Sequence, residues 1–181
     1  MIILGLGSNL SSRFGDRIDN LKLAINFIET CGIIIDKKSS FYETPSYPDK
    51  KNPKFINIVI SIKTDLTPAD LMSVLIYIEE KLDRKRDKKN DPRTCDIDII
   101  DYNSKISDFK YKNLDLVLPH KLLTSRNFVL IPLHEILPNW KHPKNKEIIS
   151  SLIEKLSDED RKSILKLKKN WYSQVMLNQK E

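Results

Sequence analysis

The chain has 181 residues, enough for one domain with a sizeable core. Hydrophobic residues make up 40% and charged residues 31%, a balance that excludes a disordered chain. No apolar run approaches the ~20 residues of a membrane span. The net charge of +6 favours an anionic partner but does not choose among nucleic acid, membrane lipid and nucleotide phosphate.

The start of the chain lacks a charged segment followed by an apolar stretch, so we expect no signal peptide. Cys31 and Cys95 lack the spacing of a zinc knuckle or a redox pair. We expect both to be reduced, buried thiols in a cytoplasmic protein.

The first half of the chain predicts a strand over 2–7, a turn over 7–10, a helix over 17–30, a strand over 33–42, a proline-rich loop over 43–53 and a strand over 55–64. The helix has apolar residues at helical spacing, and Asp16 is its expected N-cap. The last strand is the clearest, because four isoleucines alternate along one face. Its other face carries Phe55, Asn57, Val59 and Ser61.

The second half predicts a helix from Pro68 with Thr67 as its cap, a charged stretch over 83–92, a strand over 95–102, a helix over 124–136 disturbed near Pro132, and a helical tail from 146. The order strand, helix, strand, strand, helix, strand is typical of a ferredoxin-like α+β fold. We therefore expect an antiparallel sheet with helices packed on one face and the other face open to ligands.

Asp96 and Asp98 are the sharpest chemical feature of the sequence. Residues two apart on a strand point to the same face, with Cα atoms ~6.5–7 Å apart. Two neighbouring carboxylates repel each other, so a cation should compensate them. Magnesium fits, because it typically binds one or two carboxylates together with substrate phosphates. The alternative is an exposed edge strand with two solvated acids.

Cationic residues flank this acid pair in the sequence. Arg84, Arg86 and Arg93 precede it, while His120 and Arg126 follow it. Transfer of a polyphosphate group needs metal and guanidinium groups together, because both neutralise phosphate charge. The alternatives are a solvated charged loop for the arginines and a hydrogen-bonded structural role for the histidine.

Phe55, Asn57 and Phe128 form a candidate binding set for a flat heterocycle. Two phenyl rings that face one cleft can sandwich such a ring, and an amide can read its edge. The alternative is that both aromatic side chains belong to the core.

Together these segments resemble the 6-hydroxymethyl-7,8-dihydropterin pyrophosphokinase family. The resemblance covers about residues 1–140 and lies in segments 7–10, 41–45, 55–57, 78–79, 84–86, 92–99, 118–120 and 126–128. It implies a ferredoxin-like fold, ATP as co-substrate with two magnesium ions, and AMP as co-product. The product that the resemblance implies is the pterin diphosphate of folate biosynthesis.

The resemblance also implies roles for individual residues. Asp96 and Asp98 are expected to hold both metal ions, and Arg84 and Arg93 to act beside them in catalysis. The expected ATP-binding residues are Glu79, Arg84, Arg86, His120 and Arg126. The expected pterin-binding residues are Thr44, Pro45, Phe55, Asn57 and Phe128. The sequence names no general base.

The loop over 83–92 departs from the family pattern. Asp83 stands where the family often has glycine, the loop is about one residue shorter than in some relatives, and a loop tryptophan has no counterpart. The loop offers almost no apolar anchor, and its cations repel one another. We therefore expect it to be mobile without ligands and to close over bound nucleotide.

We expect residues 1–181 to form a single pyrophosphokinase domain with a helical C-terminal tail. We also expect a monomer that acts on small molecules and binds neither nucleic acid nor membrane. Two other functions remain open: a basic RNA-binding module, which leaves the acid pair unexplained, and a metal-dependent nuclease, which leaves the aromatic set unexplained.

Overall fold

The computed structural model describes residues 1–47, 49–85, 91–111, 114–168 and 171. Its elements, in chain order, are β1 (Ile2–Ser8), α1 (Arg17–Thr30), β2 (Ile34–Lys38), β3 (Tyr42–Thr44), β4 (Phe55–Lys63), α2 (Pro68–Lys81), β5 (Asp96–Tyr102), β6 (Ser107–Tyr111), β7 (Leu114–Leu118), a 3₁₀ helix (Leu123–Ser125), α3 (Asn127–Ile136), α4 (Ile149–Glu154), α5 (Asp158–Lys162) and β8 (Leu165–Lys166). Within the described ranges, no helix is long and apolar enough to cross a membrane.

The main sheet is antiparallel and has six strands in the order β5–β1–β4–β3–β8, with β2 also paired to β4. The strand β4 is long enough to pair with β3 along its first half and with β2 along its second half. β6 and β7 form a separate hairpin. The mixed α and β composition and the antiparallel sheet that the sequence predicts are confirmed.

The single strand predicted over 33–42 is divided into two. Ser39 interrupts it: its backbone N–H donates to the Val59 carbonyl at 2.9 Å, while its hydroxyl oxygen accepts the Val59 N–H at 3.0 Å. The Ser39 hydroxyl therefore accepts the Val59 N–H, a hydrogen bond that a backbone carbonyl accepts in a regular strand pair. The chain leaves β4 there and returns as β3, which brings Thr44 opposite Phe55.

Two helices cover one face of the sheet, and their ends follow the sequence signals. Asp16 caps α1 by accepting the N–H groups of Ile18 and Asp19, and Thr67 caps α2 by accepting the N–H of Asp70. The isoleucines of β4 and the apolar stripes of both helices form one buried cluster. Burial of such apolar side chains is the main force that holds this layer together.

The expectation that helices lie on one face only is wrong. Ile3, Val59 and Ile100 point to the opposite face and pack with α3 and α4 in a second buried cluster. These three side chains are apolar, so that end of the face needs a cover, and the C-terminal helices supply it. The other end of the same face carries Asp96, Asp98, Asn57 and Phe55.

Three further expectations need correction. Cys31 follows the end of α1 and is exposed, whereas Cys95 is buried as expected. Burial raises the pKa of the Cys95 thiol well above its usual value. The helix predicted over 124–136 begins at Asn127, after a separate 3₁₀ helix. The tail predicted as helical also contains a strand, β8.

Candidate active site

The floor of the candidate site is formed by β1, which lies between β4 and β5. Gly7 is opposite Asn57 on one neighbour and Asp96 on the other, and Gly5 is opposite Asp98. A Cβ atom on Gly7 would lie 3.0 Å from the Asn57 Oδ1 atom. Gly5 and Gly7 carry no side chains, so Ile100 and Asn57 approach the backbone of β1 closely.

Asp96 lies in a group of alternating charges. Arg84 Nη1 donates to Asp96 Oδ1 at 2.5 Å, and Arg93 Nε lies 3.0 Å from Asp96 Oδ2 as an ion pair not aligned for a hydrogen bond. Arg84 also donates to Glu79, whose side chain is 2% exposed. The same Glu79 oxygen accepts the backbone N–H of Ile97 at 2.7 Å. Glu79 thus fixes both the arginine and the strand that carries the acids.

The charge of Arg84 is maintained by these acids. Burial opposes its protonated form, but Asp96 and Glu79 outweigh that effect and raise the pKa of Arg84. Its side chain is 10% exposed, so removing a partner would leave a cation with little water around it.

Asp98 has a different and more open environment. Arg126 Nη1 donates to Asp98 Oδ2 at 3.1 Å, and His120 Nε2 lies 3.8 Å from the same oxygen. Because His120 Nδ1 accepts the backbone N–H of Leu122 at 3.1 Å, the neutral ring carries its hydrogen on Nε2. Burial lowers the pKa of His120; Asp98 opposes this shift and Arg126 reinforces it. The ring is therefore a neutral donor at neutral pH.

Two aromatic rings lie beside the arginines of the site. The guanidinium carbon of Arg93 is 5.3 Å from the ring centroid of Phe55, and that of Arg126 is 5.5 Å from the ring centroid of Phe128. Both distances are within cation–π range. Each arginine thus joins one acid of β5 to one aromatic ring, which places the predicted heterocycle set next to the predicted phosphate set.

Asn57 is buried and held in one orientation. Its Nδ2 atom donates to the Thr44 hydroxyl at 2.9 Å, so its Oδ1 atom faces the floor at Gly7. Pro45 follows Thr44 directly at the end of β3 and is partly buried.

The structure brings most of the predicted site residues together. One group contains Glu79, Arg84, Arg93 and Asp96; a second contains Asp98, His120, Arg126 and Phe128; a third contains Thr44, Pro45, Phe55 and Asn57. Arg86 and the middle of the loop, residues 86–90, lie outside the described residues. The expected closure of that loop therefore stays a prediction.

Asp83, where the sequence departs from the expected family pattern, adopts a backbone conformation that glycine also favours. Asp83 has φ of 60°, a left-handed conformation that favours glycine and that aspartate tolerates better than most residues. Its carboxylate also pairs with Arg13 Nε at 3.1 Å. The backbone turn that glycine would make is thus retained.

One positioning residue was missed from the sequence, where residues 7–10 read only as a turn. The backbone N–H groups of Asn9 and Leu10 both donate to the carbonyl of Arg93, at 3.0 and 3.1 Å. Asn9 Oδ1 in turn accepts the Arg93 N–H at 2.7 Å, and Asn9 Nδ2 donates to the Pro53 carbonyl at 3.1 Å. The turn therefore holds Arg93 in place and ties it to the segment before Phe55.

Asp96 and Asp98 offer two carboxylates on one face. Among the residues that the structure describes, no group of three or more His, Cys, Asp or Glu side chains is arranged to hold a metal ion. A hard cation at this pair therefore needs further oxygen ligands, and phosphate oxygens are the usual ones for magnesium. Paired acids, flanking cations and adjacent aromatic rings are the features that the sequence predicted for a phosphate site beside a heterocycle site.

Comparison with known proteins agrees with this class of site. The chain belongs to the 7,8-dihydro-6-hydroxymethylpterin-pyrophosphokinase (HPPK) family, whose model matches residues 3–138. It is 35% identical over 155 residues to the 2-amino-4-hydroxy-6-hydroxymethyldihydropteridine pyrophosphokinase of Synechocystis sp., an alignment that covers 85% of this chain and 75% of the relative. It is 39% identical over 138 residues to the enzyme of the same name from Methylorubrum extorquens, covering 75% of this chain and 82% of the relative.

Solved structures share the fold. The wild-type HPPK-DHPS of Plasmodium falciparum superposes with a TM-score of 0.64 and 18% sequence identity, over 83% of this chain and 43% of that chain. This chain thus spans less than half of the solved one, and the likeness bears on the fold alone.

Proposed function

We propose that this protein is an ATP-dependent diphosphokinase that transfers the pyrophosphoryl group of ATP to 6-hydroxymethyl-7,8-dihydropterin. The products are AMP and the pterin diphosphate, in folate biosynthesis. The observation that carries the proposal is the acid pair Asp96 and Asp98, flanked by arginines that each also lie against an aromatic ring. A phosphate site and a heterocycle site are thereby adjacent in a chain of this family.

Asp96 and Asp98 are the proposed magnesium ligands, for two ions shared with ATP. The fit rests on the chemistry of the donors: two carboxylates on one face, partly exposed, opposite Gly5 and Gly7 of β1. Hard divalent cations prefer such oxygen ligands. Magnesium, when bound, supplies Lewis acidity and neutralises phosphate charge.

The arginines of the site have two successive partners in this proposal. Without substrate, Arg84 and Arg93 neutralise Asp96, and Arg126 neutralises Asp98. If metal engaged the carboxylates, the guanidinium groups would bind phosphate oxygens, for which their planar fork is suited. Arg84 and Arg93 serve the transferred group, while Arg126 and the Nε2–H of His120 serve the nucleotide. Arg86 is a further proposed ATP contact, and Glu79 positions Arg84.

The pterin ring is placed between Phe55 and Phe128. Its N–H groups are read by Asn57 Oδ1, which the bond from Nδ2 to Thr44 turns toward the floor. Thr44 and Pro45 close the edge of this pocket. The hydroxymethyl oxygen of the pterin then attacks the β-phosphorus of ATP. A new O–P bond forms, the bond from the β-phosphorus to the α,β-bridging oxygen breaks, AMP leaves with that oxygen, and the hydroxyl proton is released to solvent. Such transfer depends mostly on positioning and charge neutralisation.

The finer fold assignment is part of the same proposal. Two βαβ units, β1–α1–β2 and β4–α2–β5, each enclose a strand of the other, and every neighbouring pair of strands is antiparallel. This is the arrangement of a ferredoxin-like fold. We also infer that residues 1–181 act as one domain.

The test is a product analysis of the wild-type protein with magnesium, ATP and 6-hydroxymethyl-7,8-dihydropterin. We expect AMP and the pterin diphosphate in equal amounts, by chromatography and phosphorus NMR. A reaction without pterin serves as the control. Release of ADP, or of AMP at the same rate without pterin, would contradict the proposal. Cleavage of RNA or DNA under these conditions would support the nuclease alternative instead.

A further inference from the structure

Residues beyond the family-matched segment 3–138 contact both walls of the proposed pterin pocket. We name residues 157–168 the C-terminal clasp. Its strand β8 pairs with β3, with Lys166 opposite Tyr42 and Leu165 opposite Glu43. The Leu167 N–H also donates to the Phe41 carbonyl at 2.8 Å. The clasp thus adds an edge strand to the wall that ends in Thr44 and Pro45.

The clasp reaches the opposite wall through Asn127. The Asn127 Nδ2 atom donates to the Asp160 carbonyl at 2.6 Å and to the Ser163 hydroxyl at 3.0 Å. The Ser163 hydroxyl in turn donates to the same carbonyl at 3.0 Å. Asn127 is 7% exposed, so little water is available to replace these bonds. It lies in the chain between Arg126 and Phe128, at the start of α3.

A second connection lies two turns further along α3. Glu135 accepts hydrogen bonds from Lys166 Nζ at 2.8 Å, from the Tyr42 hydroxyl at 3.0 Å and from the Ser40 hydroxyl at 2.7 Å. Burial raises the pKa of Glu135, but the bonds from Lys166 and Ser40 outweigh it and lower the pKa. This carboxylate therefore ties β3, α3 and the clasp into one network.

We propose that Asn127 is a positioning residue through which the clasp fixes Phe128 against β3 and so sets the affinity for pterin. The inference rests on the proposed function, because the pocket concerned is the proposed pterin pocket. Arg126 has an anchor of its own in Asp98, whereas the position of Phe128 depends on the backbone of α3 and its packing. A displacement of about 1 Å in a binding site is enough to change rates and affinities strongly.

The test compares Asn127→Ala and Ser163→Ala with the wild-type enzyme. For Asn127→Ala we expect the KM for pterin to rise about tenfold, since a buried hydrogen bond is lost, while the KM for ATP stays within about twofold. Ser163 lies outside the pocket, and Ser163→Ala retains the hydrogen bond from Asn127 to the Asp160 carbonyl. We expect this variant to raise the pterin KM by about threefold. Calorimetric titration with pterin, in the presence of α,β-methylene-ATP, provides the same comparison without turnover.

Arg161→Ala is the matched control. Arg161 lies on α5, as does Asp160. Its side chain donates hydrogen bonds to the Glu154 carbonyl and the Asp158 carboxylate, both inside the C-terminal segment. We expect its pterin and ATP constants to match those of the wild type. Equal rises of both constants in Asn127→Ala, or unchanged pterin constants in both Asn127→Ala and Ser163→Ala, would overturn the inference. A wild-type protein that forms no AMP would instead overturn the proposed function, so the two failures are distinguishable.

Discussion

Asp96 and Asp98 are two residues apart on one strand and share one face, yet their surroundings differ. The side chain of Asp96 is 23% exposed and is paired with Arg84 and Arg93, whereas that of Asp98 is 39% exposed and is paired with Arg126 and, more distantly, His120. Arg84 is itself held by the buried Glu79. Asp96 therefore belongs to a charge network that extends into the protein interior, and Asp98 to one at the surface of the cleft.

The difference separates two demands on the same chemical group. A buried, fully paired charge is costly to disturb, because any partner left alone loses both its ion pair and its access to water. An exposed pair exchanges partners at little cost, because water replaces them. We infer that both acids serve the bound phosphates, but that only Asp96 also stabilises the fold.

The largest expected effect is on turnover. Asp96→Asn and Asp98→Asn should each lower the rate of AMP formation about a thousandfold, because each removes a proposed metal ligand, and a bound metal contributes several kcal/mol in the transition state. The comparison predicts that Asp96→Asn also lowers the melting temperature, since Arg84 then depends on Glu79, while Asp98→Asn does not. Near-normal rates for both variants at saturating magnesium would refute the proposed role.

The next effect concerns stability. Glu79→Gln keeps the shape of the side chain but removes the charge that faces Arg84, and we expect the free energy of unfolding to fall by about 2–3 kcal/mol. Chemical denaturation measures the change. Glu159→Gln is the control, because its ion pair with Lys50 is exposed, and we expect no measurable change. An equal response of the two variants would show that the interior network contributes nothing.

A smaller effect is expected at the aromatic rings. Phe128→Ala and Phe55→Ala should each weaken pterin binding about tenfold, through lost stacking and apolar contact. Binding of α,β-methylene-ATP should change less, since the acids and arginines remain. Calorimetry on folded variants measures both. Unchanged pterin affinity in Phe128→Ala would remove this residue from the pocket.

The smallest expected effect is a pH dependence of stability from His120, which lies near Asp98. The pKa of His120 is lowered from 6.5 by burial, so the unfolded chain binds a proton there at a higher pH than the folded protein does. Its contribution to stability is therefore constant above the usual histidine range and is lost as the pH falls through 6.5. Between about pH 7.5 and about pH 5.5, the wild type should lose more stability than His120→Asn. His142, whose pKa burial also lowers, contributes equally in both proteins. Parallel curves would contradict this assignment.

The sequence predicted the parts of this comparison that depend on local pattern. Alternation along β5 places both acids on one face, and the caps at Asp16 and Thr67 mark the starts of α1 and α2. The sequence did not predict that Glu79 accepts hydrogen bonds from both Arg84 and the Ile97 N–H, because these contacts depend on how α2 packs against β5.

Long-range pairing explains the other differences. Asn9 and Arg93 are 84 positions apart in the chain but are hydrogen-bonded, and β8 pairs with β3 although more than a hundred residues separate them. No local sequence signal marks either contact. Val59 and Ile100 did carry a signal. Apolar residues beside polar ones on this face indicate a second layer of helices, which α3 and α4 provide.

The most direct test of the central claim is the binding of Mn²⁺ as a paramagnetic substitute for magnesium, measured by electron paramagnetic resonance with α,β-methylene-ATP present. The account predicts tight binding to the wild type and at least about tenfold weaker binding to both Asp96→Asn and Asp98→Asn. It also predicts that the folded Asp98→Asn variant retains the melting temperature of the wild type. Wild-type affinity for Mn²⁺ in both variants would contradict the claim that these acids release their arginines to bind metal.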